Sequence, residues 1–385
     1  MNLVPRSAYL HVPFCSHRCG YCNFTLISGR DELIPAFIEA VAGELASTLG
    51  EPQAVDTIFL GGGTPSHLQP RELQRLLEVI AHWLPLAPGG EFSCEANPLD
   101  CTAERLQMLS ALGVNRISLG GQSFNNAKLL QLERDHSGDQ LSAALEACGQ
   151  HMPRVSLDLI FGVPDETLET WQTDLSRALA SPIGHLSTYG LTIERGSAFY
   201  GRALRNELHE LTPELQLTMY EQSMATLTAA GWEHYEVSNF AIPGARCRHN
   251  ESYWLGRPWW AFGPGAASFE VVGEGDGFRR SVNHRSTTTY LNRSRRGQTL
   301  VAETDELTRE DYIRERLVFG LRRLQGVELS ELDALWGGTV RELFAPYLDR
   351  YLQCGLLAES QGTIRLTPAG LVISDSMWPD LLAAG

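Results

Sequence analysis

The first half of the chain repeats one pattern, in which an apolar stretch of strand length is followed by an amphipathic stretch of helix length. Six strands are predicted in this way, at 8–12, 55–60, 91–94, 116–119, 155–160 and 185–191. The helices predicted between them are 36–49, 71–83, 103–112, 139–150 and 168–179. Successive β/α units form a parallel sheet with right-handed crossovers. The sequence therefore predicts an α/β fold, a partial (β/α)6 barrel of the TIM type.

Polar or glycine-rich residues occur at or near the same end of each predicted strand. In barrels of this type the functional groups lie at the C-terminal ends of the strands. The residues concerned, one for each strand in chain order, are Cys15, Gly62, Glu95, Gln122, Asp158 and Thr192. This recurrence predicts a single site at one end of the barrel.

Three cysteines follow the first predicted strand with the spacing C-x3-C-x2-C, at Cys15, Cys19 and Cys22. Three thiolates can hold three irons of a four-iron cluster, and S-adenosylmethionine (SAM) can chelate the fourth iron through its amino and carboxylate groups. There are two alternatives to an iron–sulfur cluster. The cysteines could form a zinc site that lacks one ligand, or a disulfide with one thiol left over. The other cysteines are expected to be buried free thiols, at Cys94, Cys101, Cys148, Cys247 and Cys354.

The charge balance limits the classes of partner. The 385 residues include 31 basic and 46 acidic side chains, a net charge of −15, which argues against a broad nucleic-acid surface. The basic run of Arg293, Arg295 and Arg296 is expected to be a solvated loop. No apolar run approaches the ~20 residues of a membrane helix, and no secretory signal is recognisable, so we expect a cytoplasmic protein without an integral membrane segment.

The composition changes along the chain and predicts three parts. These are the barrel at 1–235, an aromatic and glycine-rich segment at 236–300, and a smaller helical, winged-helix-like domain at 301–385. Within the middle part, 273–297 is predicted to form loops and edge hairpins. Within the last part a helix is predicted at 339–353, which Pro346 is expected to kink or split.

Five motifs give the chain a specific resemblance. In order they are Tyr-x-His-x-Pro-Phe-Cys, Gly-Gly-Gly-Thr-Pro-Ser, Glu-Ala-Asn-Pro, Arg-Ile-Ser-Leu-Gly-Gly-Gln-Ser-Phe and Leu-Asp-Leu-Ile-Phe-Gly-Val-Pro. The C-x3-C-x2-C spacing resembles that of the radical SAM superfamily, and the five motifs resemble, within it, those of the oxygen-independent coproporphyrinogen III oxidases and their relatives. The resemblance implies that Cys15, Cys19 and Cys22 ligate a [4Fe-4S] cluster. The SAM contacts that it implies are Tyr9, Tyr21, Gly62, Gly63, Thr64, Glu95, Gln122, Arg134 and Asp158.

Two features separate the chain from the oxidases themselves. Phe24 stands where they carry a further cysteine, and the first predicted strand begins close to Met1, whereas they have an N-terminal extension. A later segment, from His249 to Trp254, has the form His-Asn-x-x-Tyr-Trp, which resembles the heme-binding motif of heme chaperones in the same family.

That second motif implies its own set of contacts. By the resemblance, heme contacts His249, Asn250, Tyr253 and Trp254, and the nearby Cys247 is a further ligand to consider. An imidazole can ligate heme iron, and aromatic rings, with Trp259 and Trp260 among them here, can pack on a porphyrin face. A hydrogen-bonded histidine inside an aromatic core is the alternative reading of the same residues.

The resemblance thus implies a heme chaperone that binds heme and transfers it to an acceptor protein, with the cluster and SAM in a regulatory or supporting role. Radical decarboxylation of coproporphyrinogen III is the first alternative, and a radical SAM methyltransferase is the second. The sequence identifies no acceptor, gives no sign of a nucleic-acid partner, and leaves homodimer formation open.

Overall fold

The computed structural model describes residues 4–273 and 277–383, and a single sheet of 12 strands dominates it. The strands are β1 Ser7–Val12, β2 Val55–Gly62, β3 Leu86–Ala96, β4 Arg116–Gln122, β5 Val155–Phe161, β6 His185–Gly190, β7 Glu233–Glu236, β8 Asn239–Ala241, β9 Trp259–Phe262, β10 Ala267–Val272, β11 Gly277–Asn283 and β12 Val301–Leu307. Their order across the sheet is β12-β11-β10-β9-β1-β2-β3-β4-β5-β6-β8-β7.

Strands β1 to β6 are the six predicted strands, and they pair in parallel in chain order. The predicted partial barrel is therefore confirmed. A further strand, β9, pairs in parallel with the other edge of β1, with Ser7 opposite Trp259. Beyond β9 the sheet continues as an antiparallel meander through β10, β11 and β12.

Helices cover the outer face of the barrel strands, and further helices make up most of the C-terminal part of the chain. They are α1 Ile34–Leu49, α2 Pro70–Trp83, α3 Ala103–Ala111, α4 Asn126–Gln131, α5 Gly138–His151, α6 Leu168–Leu179, α7 Ala198–Leu204, α8 Pro213–Ala229, α9 Arg248–Trp254, α10 Thr287–Arg295, α11 Arg309–Leu321, α12 Leu329–Trp336, α13 Val340–Phe344, α14 Tyr347–Gln353, α15 Pro368–Val372 and α16 Ser374–Leu382. Helix α2 shows why the pattern works, since Leu73, Leu76, Leu77 and Ile80 repeat at helical spacing and are all buried in the main core.

The C-terminal part has its own small sheet and its own core. Three short strands, β13 Val327–Glu328, β14 Leu357–Ser360 and β15 Thr363–Leu366, pair in the order β13-β15-β14 and are antiparallel. Helices α11 to α16 pack around them on a second apolar cluster. The predicted helix at 339–353 is split at Pro346 into α13 and α14, as expected.

The segment 273–297 contains an antiparallel strand, in agreement with the predicted hairpins, and a helix that was not predicted. Outside 274–276, which lie beyond the described residues, it contains strand β11 and helix α10. Arg293 and Arg295 belong to the last turn of α10 and Arg296 follows it, so the prediction of a loop there is wrong. Cations near a helix C-terminus interact favourably with the helix dipole, which explains a basic run at this place.

The scattered cysteines are free thiols, as predicted, and Cys94, Cys101, Cys148 and Cys247 are buried. Cys354 is exposed, so its predicted burial is wrong. Within the described part of the chain, no helix is both long enough and apolar enough to cross a membrane.

Candidate functional site

The loop that carries the three cysteines leaves the C-terminal end of β1 and is held from two sides. A short parallel pair joins Phe14–Cys15 to Ile27–Ser28 across the base of the loop. The Arg18 guanidinium donates hydrogen bonds to the carbonyl oxygens of Cys22, Phe24 and Leu26, at 3.4, 3.3 and 3.2 Å. The strand pair and the three Arg18 hydrogen bonds therefore hold the backbone of the cysteine loop in place.

The thiols of this loop lie in polar surroundings at the edge of the barrel. The Cys15 Sγ lies 3.1 Å from the Thr64 hydroxyl, and Nη1 of Arg134 lies 3.4 Å from Sγ of Cys19. Burial raises the pKa of the Cys15 thiol to about 11 and also raises that of Cys22, so these thiols hold their protons until a metal displaces them.

The geometry bears on the alternatives to an iron–sulfur cluster. All three cysteines are free, which leaves no disulfide in this loop. Among the described residues, no three His, Cys, Asp or Glu side chains come close enough together to hold one metal ion. A zinc ion draws its thiolates to about 2.3 Å from one centre, whereas a four-iron cluster takes each thiolate on a separate iron. Three thiolates on one loop can each ligate one iron of such a cluster, whereas a structural zinc site would lack its fourth protein ligand.

The C-terminal ends of the barrel strands enclose a cavity of about 360 Å³ next to this loop. The predicted residues that line it are Cys15, Cys19, Tyr21, Cys22, Gly62, Gly63, Thr64, Glu95, Gln122, Arg134, Asp158 and Thr192. Tyr9 is absent from this lining and borders a second cavity deeper in the barrel. The structure thus brings together residues from six β/α units, as the recurrence along the sequence predicted.

Two carboxylates, those of Glu95 and Asp158, line the inner part of this cavity and are close enough for their charges to interact. Burial, together with the neighbouring charge of Asp158, raises the pKa of Glu95 to about 7, against a hydrogen bond from the Gly62 N–H that lowers it. Burial raises the pKa of Asp158 to about 6, against hydrogen bonds from Ser187 and Ser118 that lower it. Both carboxylates are therefore suited to hydroxyl or ammonium groups of a ligand, which would compensate for their lost hydration.

Arg134 supplies a positive charge to the opposite side of the cavity. Its Nη2 donates to the Gly120 carbonyl oxygen at 2.8 Å, and its buried Nε finds no hydrogen-bond partner among the described residues. A buried donor without a partner destabilises a fold unless a ligand or water accepts its hydrogen bond. A carboxylate-bearing ligand such as SAM would supply the acceptor.

The glycine loop after β2 is required by close packing as well as by the cavity. Gly62 has φ +114°, and a Cβ there would lie 2.6 Å from the ring of His11. A Cβ on Gly63 would lie 2.6 Å from the Phe14 carbonyl oxygen. Only glycine lets this backbone approach the cysteine loop so closely.

His11 is a site residue that our sequence analysis did not single out, although it is the histidine of the first motif. Its Nδ1 lies 3.0 Å from the Tyr9 hydroxyl, and its Nε2 lies 2.6 Å from the Thr25 carbonyl oxygen. The ring links β1 to the far end of the cysteine loop and supports the glycine loop above it. Alternation along β1 puts Tyr9 and His11 on the same face, which was the available signal.

The second cavity, of about 220 Å³, lies inside the barrel, and Glu95 and Asp158 border both cavities. His249, Asn250 and Tyr253 line the second one, together with Tyr9. Trp254 does not line it and instead lies against the Arg322 guanidinium, which is 4.7 Å from its ring. The predicted heme motif is therefore divided between the barrel interior and the interface with α11.

His249 is buried with both ring nitrogens engaged. Its Nδ1 lies 2.9 Å from the Thr57 hydroxyl on β2, and its Nε2 lies 2.8 Å from the Tyr253 hydroxyl. Burial lowers the pKa of His249 to about 3, so the ring is neutral. In this arrangement His249 links β2 to α9, which is the geometry of the hydrogen-bonded core histidine considered above.

The two neighbouring tryptophans are strand residues. Trp259 begins β9, donates from Nε1 to the Ala267 carbonyl oxygen at 2.7 Å, and packs edge-on against Tyr253 with ring centroids 4.7 Å apart. Trp260 is 8% exposed and belongs to the main core. Neither ring forms the open flat surface that the aromatic composition suggested.

A buried ion pair fixes the start of α9, and our sequence analysis missed it. Arg116 and Glu91 are 1% and 0% exposed, and their closest side-chain atoms are 3.0 Å apart. The Glu91 Oε1 accepts hydrogen bonds from the backbone N–H groups of Arg248 and His249, at 3.0 and 3.3 Å. The available signal was a charged residue at the first position of two predicted apolar strands, because such a charge needs a partner.

The raised pKa of Glu95 predicts a pH dependence of stability. Its ordinary value is 4.5 and its value in the fold is about 7, so between these values the folded chain holds a proton that the unfolded chain has released. The unfolding free energy therefore falls as pH rises through this window and the effect is complete above it. We expect Glu95→Gln to flatten this decline in urea melts of cofactor-free protein from pH 5 to pH 8. Glu104→Gln, on the exposed side of α3, is the matched control, and an unchanged slope in Glu95→Gln would contradict the assignment.

Comparison with known proteins places this site in a class. A family model described as the Radical SAM superfamily matches residues 9–178, and one described as the HemN C-terminal domain matches residues 307–373. The fold is similar to the solved structure of coproporphyrinogen III oxidase (HemN) from Escherichia coli, a radical SAM enzyme, with a TM-score of 0.85 over 98% of this chain and 90% of that chain. The sequences are 22% identical, so this likeness is one of fold. The barrel, the three-cysteine loop and these matches define a radical SAM protein, a class that implies a [4Fe-4S] cluster and SAM.

Full-length relatives narrow the class. The chain is 32% identical over 378 residues to the heme chaperone HemW of Bacillus subtilis, covering 97% of this chain and 98% of that protein. It is 32% identical to the heme chaperone HemW of Escherichia coli over 391 residues, the full length of both. Radical S-adenosyl methionine domain-containing protein 1, mitochondrial, of Bos taurus is 34% identical over 330 residues, 85% of this chain and 70% of that protein. The chain belongs to the HemW family.

Proposed function

We propose that this chain is a heme chaperone, which binds heme and transfers it to an acceptor protein. The observation that carries the proposal is the full-length similarity to bacterial proteins named heme chaperones, which in the Escherichia coli case covers 100% of both chains. Cytoplasmic location and an as yet unidentified acceptor are parts of the same proposal, and a homodimer is compatible with it.

Within this proposal the cysteine loop holds the cluster, through Cys15, Cys19 and Cys22. The cluster, when bound, supplies an electron-transfer centre and a binding position for SAM. The unpartnered Nε of Arg134 supports a role in binding the SAM carboxylate, and the two inner carboxylates support contacts with its ammonium and hydroxyl groups. Tyr9, Tyr21, Gly62, Gly63, Thr64 and Gln122 complete the proposed SAM set.

The heme contacts of His249, Asn250, Tyr253 and Trp254 stay a prediction. Ligation of iron by the Nε2 of His249 requires that the Tyr253 hydroxyl give up its 2.8 Å contact and that the ring reach heme from inside the barrel. A supporting role of this histidine behind a heme surface on α9 requires neither change, and the arrangement of α9 favours it.

The oxidase activity is the competing proposal, because the fold of the two proteins is shared. Phe24 speaks against it. This residue stands where the oxidases carry a further cysteine, lines the mouth of the cavity and is 60% exposed. A phenyl ring provides neither a metal ligand nor an acid–base group at that place.

The proposal predicts stoichiometric heme binding without turnover. We expect an anaerobic heme titration of the cluster-reconstituted chain to saturate near one heme per chain. Binding is monitored by the absorbance in the Soret region. Incubation with coproporphyrinogen III, SAM and a reductant is expected to leave the substrate unchanged. Absence of saturable heme binding, or decarboxylation of coproporphyrinogen III, would refute the chaperone proposal.

A further inference from the structure

A third cavity, of about 540 Å³, opens at the N-terminal ends of the barrel strands, where β1 begins at Ser7 and β2 passes Thr57. We call it the arginine cleft. It lies opposite the cysteine loop, because parallel strands carry their two ends to opposite sides of the barrel. Its other walls are the outer face of α9 and the adjoining faces of α11 and α12. Its volume lies in the range typical of ligand sites, about 300–1,000 Å³.

Four arginines line the arginine cleft, although the whole chain carries a net charge of −15. Arg6 is neutralised by Asp56, with Nη2 2.7 Å from Oδ1 and Nε 3.1 Å from Oδ2. Arg248 donates to the Gly89 carbonyl oxygen at 2.6 Å, and its guanidinium makes no ion pair within 4 Å among the described residues, although its charge adds to the larger effect of Arg6 in lowering the pKa of Asp56. Three carboxylates, those of Asp56, Glu251 and Glu331, also line the cleft, so its four arginines leave a formal net charge of +1 (four minus three) within a chain of net charge −15.

The remaining two arginines are poorly compensated. Arg316 reaches a carboxylate, that of Glu331, only at 3.9 Å, and its buried Nε has no hydrogen-bond partner among the described residues. Arg257 is exposed, and within 4–273 and 277–383 its guanidinium makes neither an ion pair nor a hydrogen bond. The charge of Arg257 lowers the pKa of Arg316, in addition to the larger effect of burial, so the two cations oppose each other.

Gly256 makes room for the side chain of Arg316 at this position. Gly256 has φ +55°, and a Cβ there would lie 2.4 Å from Cδ of Arg316, so a glycine is needed for the arginine stem to pass. Arg316 and Arg257 are neighbouring cations, and Glu331 compensates Arg316 only at 3.9 Å. An anion that bridges the two would stabilise them, and guanidinium groups bind carboxylates in paired geometry.

The cleft also offers apolar surface for the body of such an anion. Leu255 and Leu335 are half-buried in its walls, Tyr312 contributes an aromatic ring, and Val4 at its edge is 52% exposed. A ligand that combines carboxylates with a large apolar body matches this lining better than phosphate or a small diacid does.

We propose that the arginine cleft is the heme-docking surface, with the heme propionate carboxylates on Arg257 and Arg316 and the porphyrin against the apolar wall. This proposal rests on the heme-chaperone function proposed above. It also gives the heme motif a role, because Arg248, Glu251, Ser252 and Leu255 present the outer side of α9 to the cleft while His249 holds its inner side. Thr57 connects the two, since it lines the cleft and contacts His249.

The test compares heme with heme dimethyl ester, in which both propionates are esterified. Cluster-reconstituted full-length chain is titrated with each, as wild type, Arg257→Gln and Arg316→Gln. Because a hydrogen bond to a charged group contributes roughly 1.5–3 kcal/mol, we expect wild type to prefer heme to its ester by about 10-fold or more, and each variant to lose most of this preference. Arg257 is exposed, so its variant removes a charge without disturbing the core.

Arg296→Gln is the matched control, since Arg296 is an exposed arginine after α10 and outside the cleft. It should keep the wild-type preference for heme. Wild-type binding with no ester discrimination, or discrimination that survives in both cleft variants, overturns the arginine cleft while leaving the chaperone proposal intact. Failure of the wild-type chain to bind heme at all overturns both.

Discussion

Replacing Cys19 by serine is expected to abolish the cluster while heme affinity stays within about twofold of wild type. Serine removes one of the three thiolates, and a hydroxyl is a much poorer ligand for the irons of such a cluster. The side chain is buried and contacts Arg134 at 3.4 Å, a contact that a serine hydroxyl can replace in kind. The fold should therefore survive, and the loss should be confined to iron, sulfide and the charge-transfer absorbance of the cluster.

Heme binding is expected to persist because the proposed heme surface lies at the opposite end of the barrel strands from the cysteine loop. The measurement is iron and acid-labile sulfide per chain after anaerobic reconstitution, followed by heme titration of the same samples. Cys354→Ser is the matched control, since Cys354 is exposed and distant in sequence from the loop. Normal iron and sulfide in Cys19→Ser would refute the cluster assignment, and loss of heme binding there would refute the separation of the two sites.

The barrel, and the site at the C-terminal ends of its strands, could be predicted because the sequence signals for both are local. Each strand from β1 to β6 is an apolar run of its own, and the residues of the site follow these runs at short range. Parallel order then brings Cys15, Glu95 and Asp158 to one end of the sheet without any knowledge of side-chain contacts. The motif resemblance added the identity of the cofactors, which the pattern alone does not carry.

The rest depended on contacts between distant parts of the chain. Strand β9 is short, and its partner β1 is far away in sequence, so no local pattern announces the pairing. Trp259 and Trp260 therefore suggested an open surface, although tertiary packing encloses them. The orientation of α9 is set by Glu91 and Arg116, which lie more than a hundred residues earlier, so sequence spacing could not tell which of its faces meets the barrel interior.

Because the buried Glu91–Arg116 pair sets the orientation of α9, we expect its removal to have a large effect on the stability of the fold. Glu91→Leu leaves Arg116 buried, at 1% exposure, without its counter-charge, and also deprives the Arg248 and His249 N–H groups of their acceptor. Removing one partner of a buried ion pair costs about 3–5 kcal/mol. We expect Glu91→Leu to lower the urea-derived unfolding free energy of the cofactor-free chain by that amount.

A double-mutant cycle separates this pair from general damage to the core. Arg116→Met alone leaves the Glu91 carboxylate buried and unpaired, and the double variant removes both charges, so its loss should fall short of the sum of the single losses by about 2 kcal/mol or more. The exposed pair of Arg6 and Asp56 is the matched control, with side chains 41% and 42% accessible, and Arg6→Met should cost under ~1 kcal/mol. Strict additivity in the buried cycle would mean that Arg116 is stabilised by its contacts with the Ala245 and Arg246 carbonyl oxygens, at 2.8 and 2.9 Å, and not by Glu91. Arg116 anchors the two residues Ala245 and Arg246 just before α9. Glu91 accepts from the first two N–H groups of the helix, so the outcome also decides which residue orients α9 between the barrel interior and the arginine cleft.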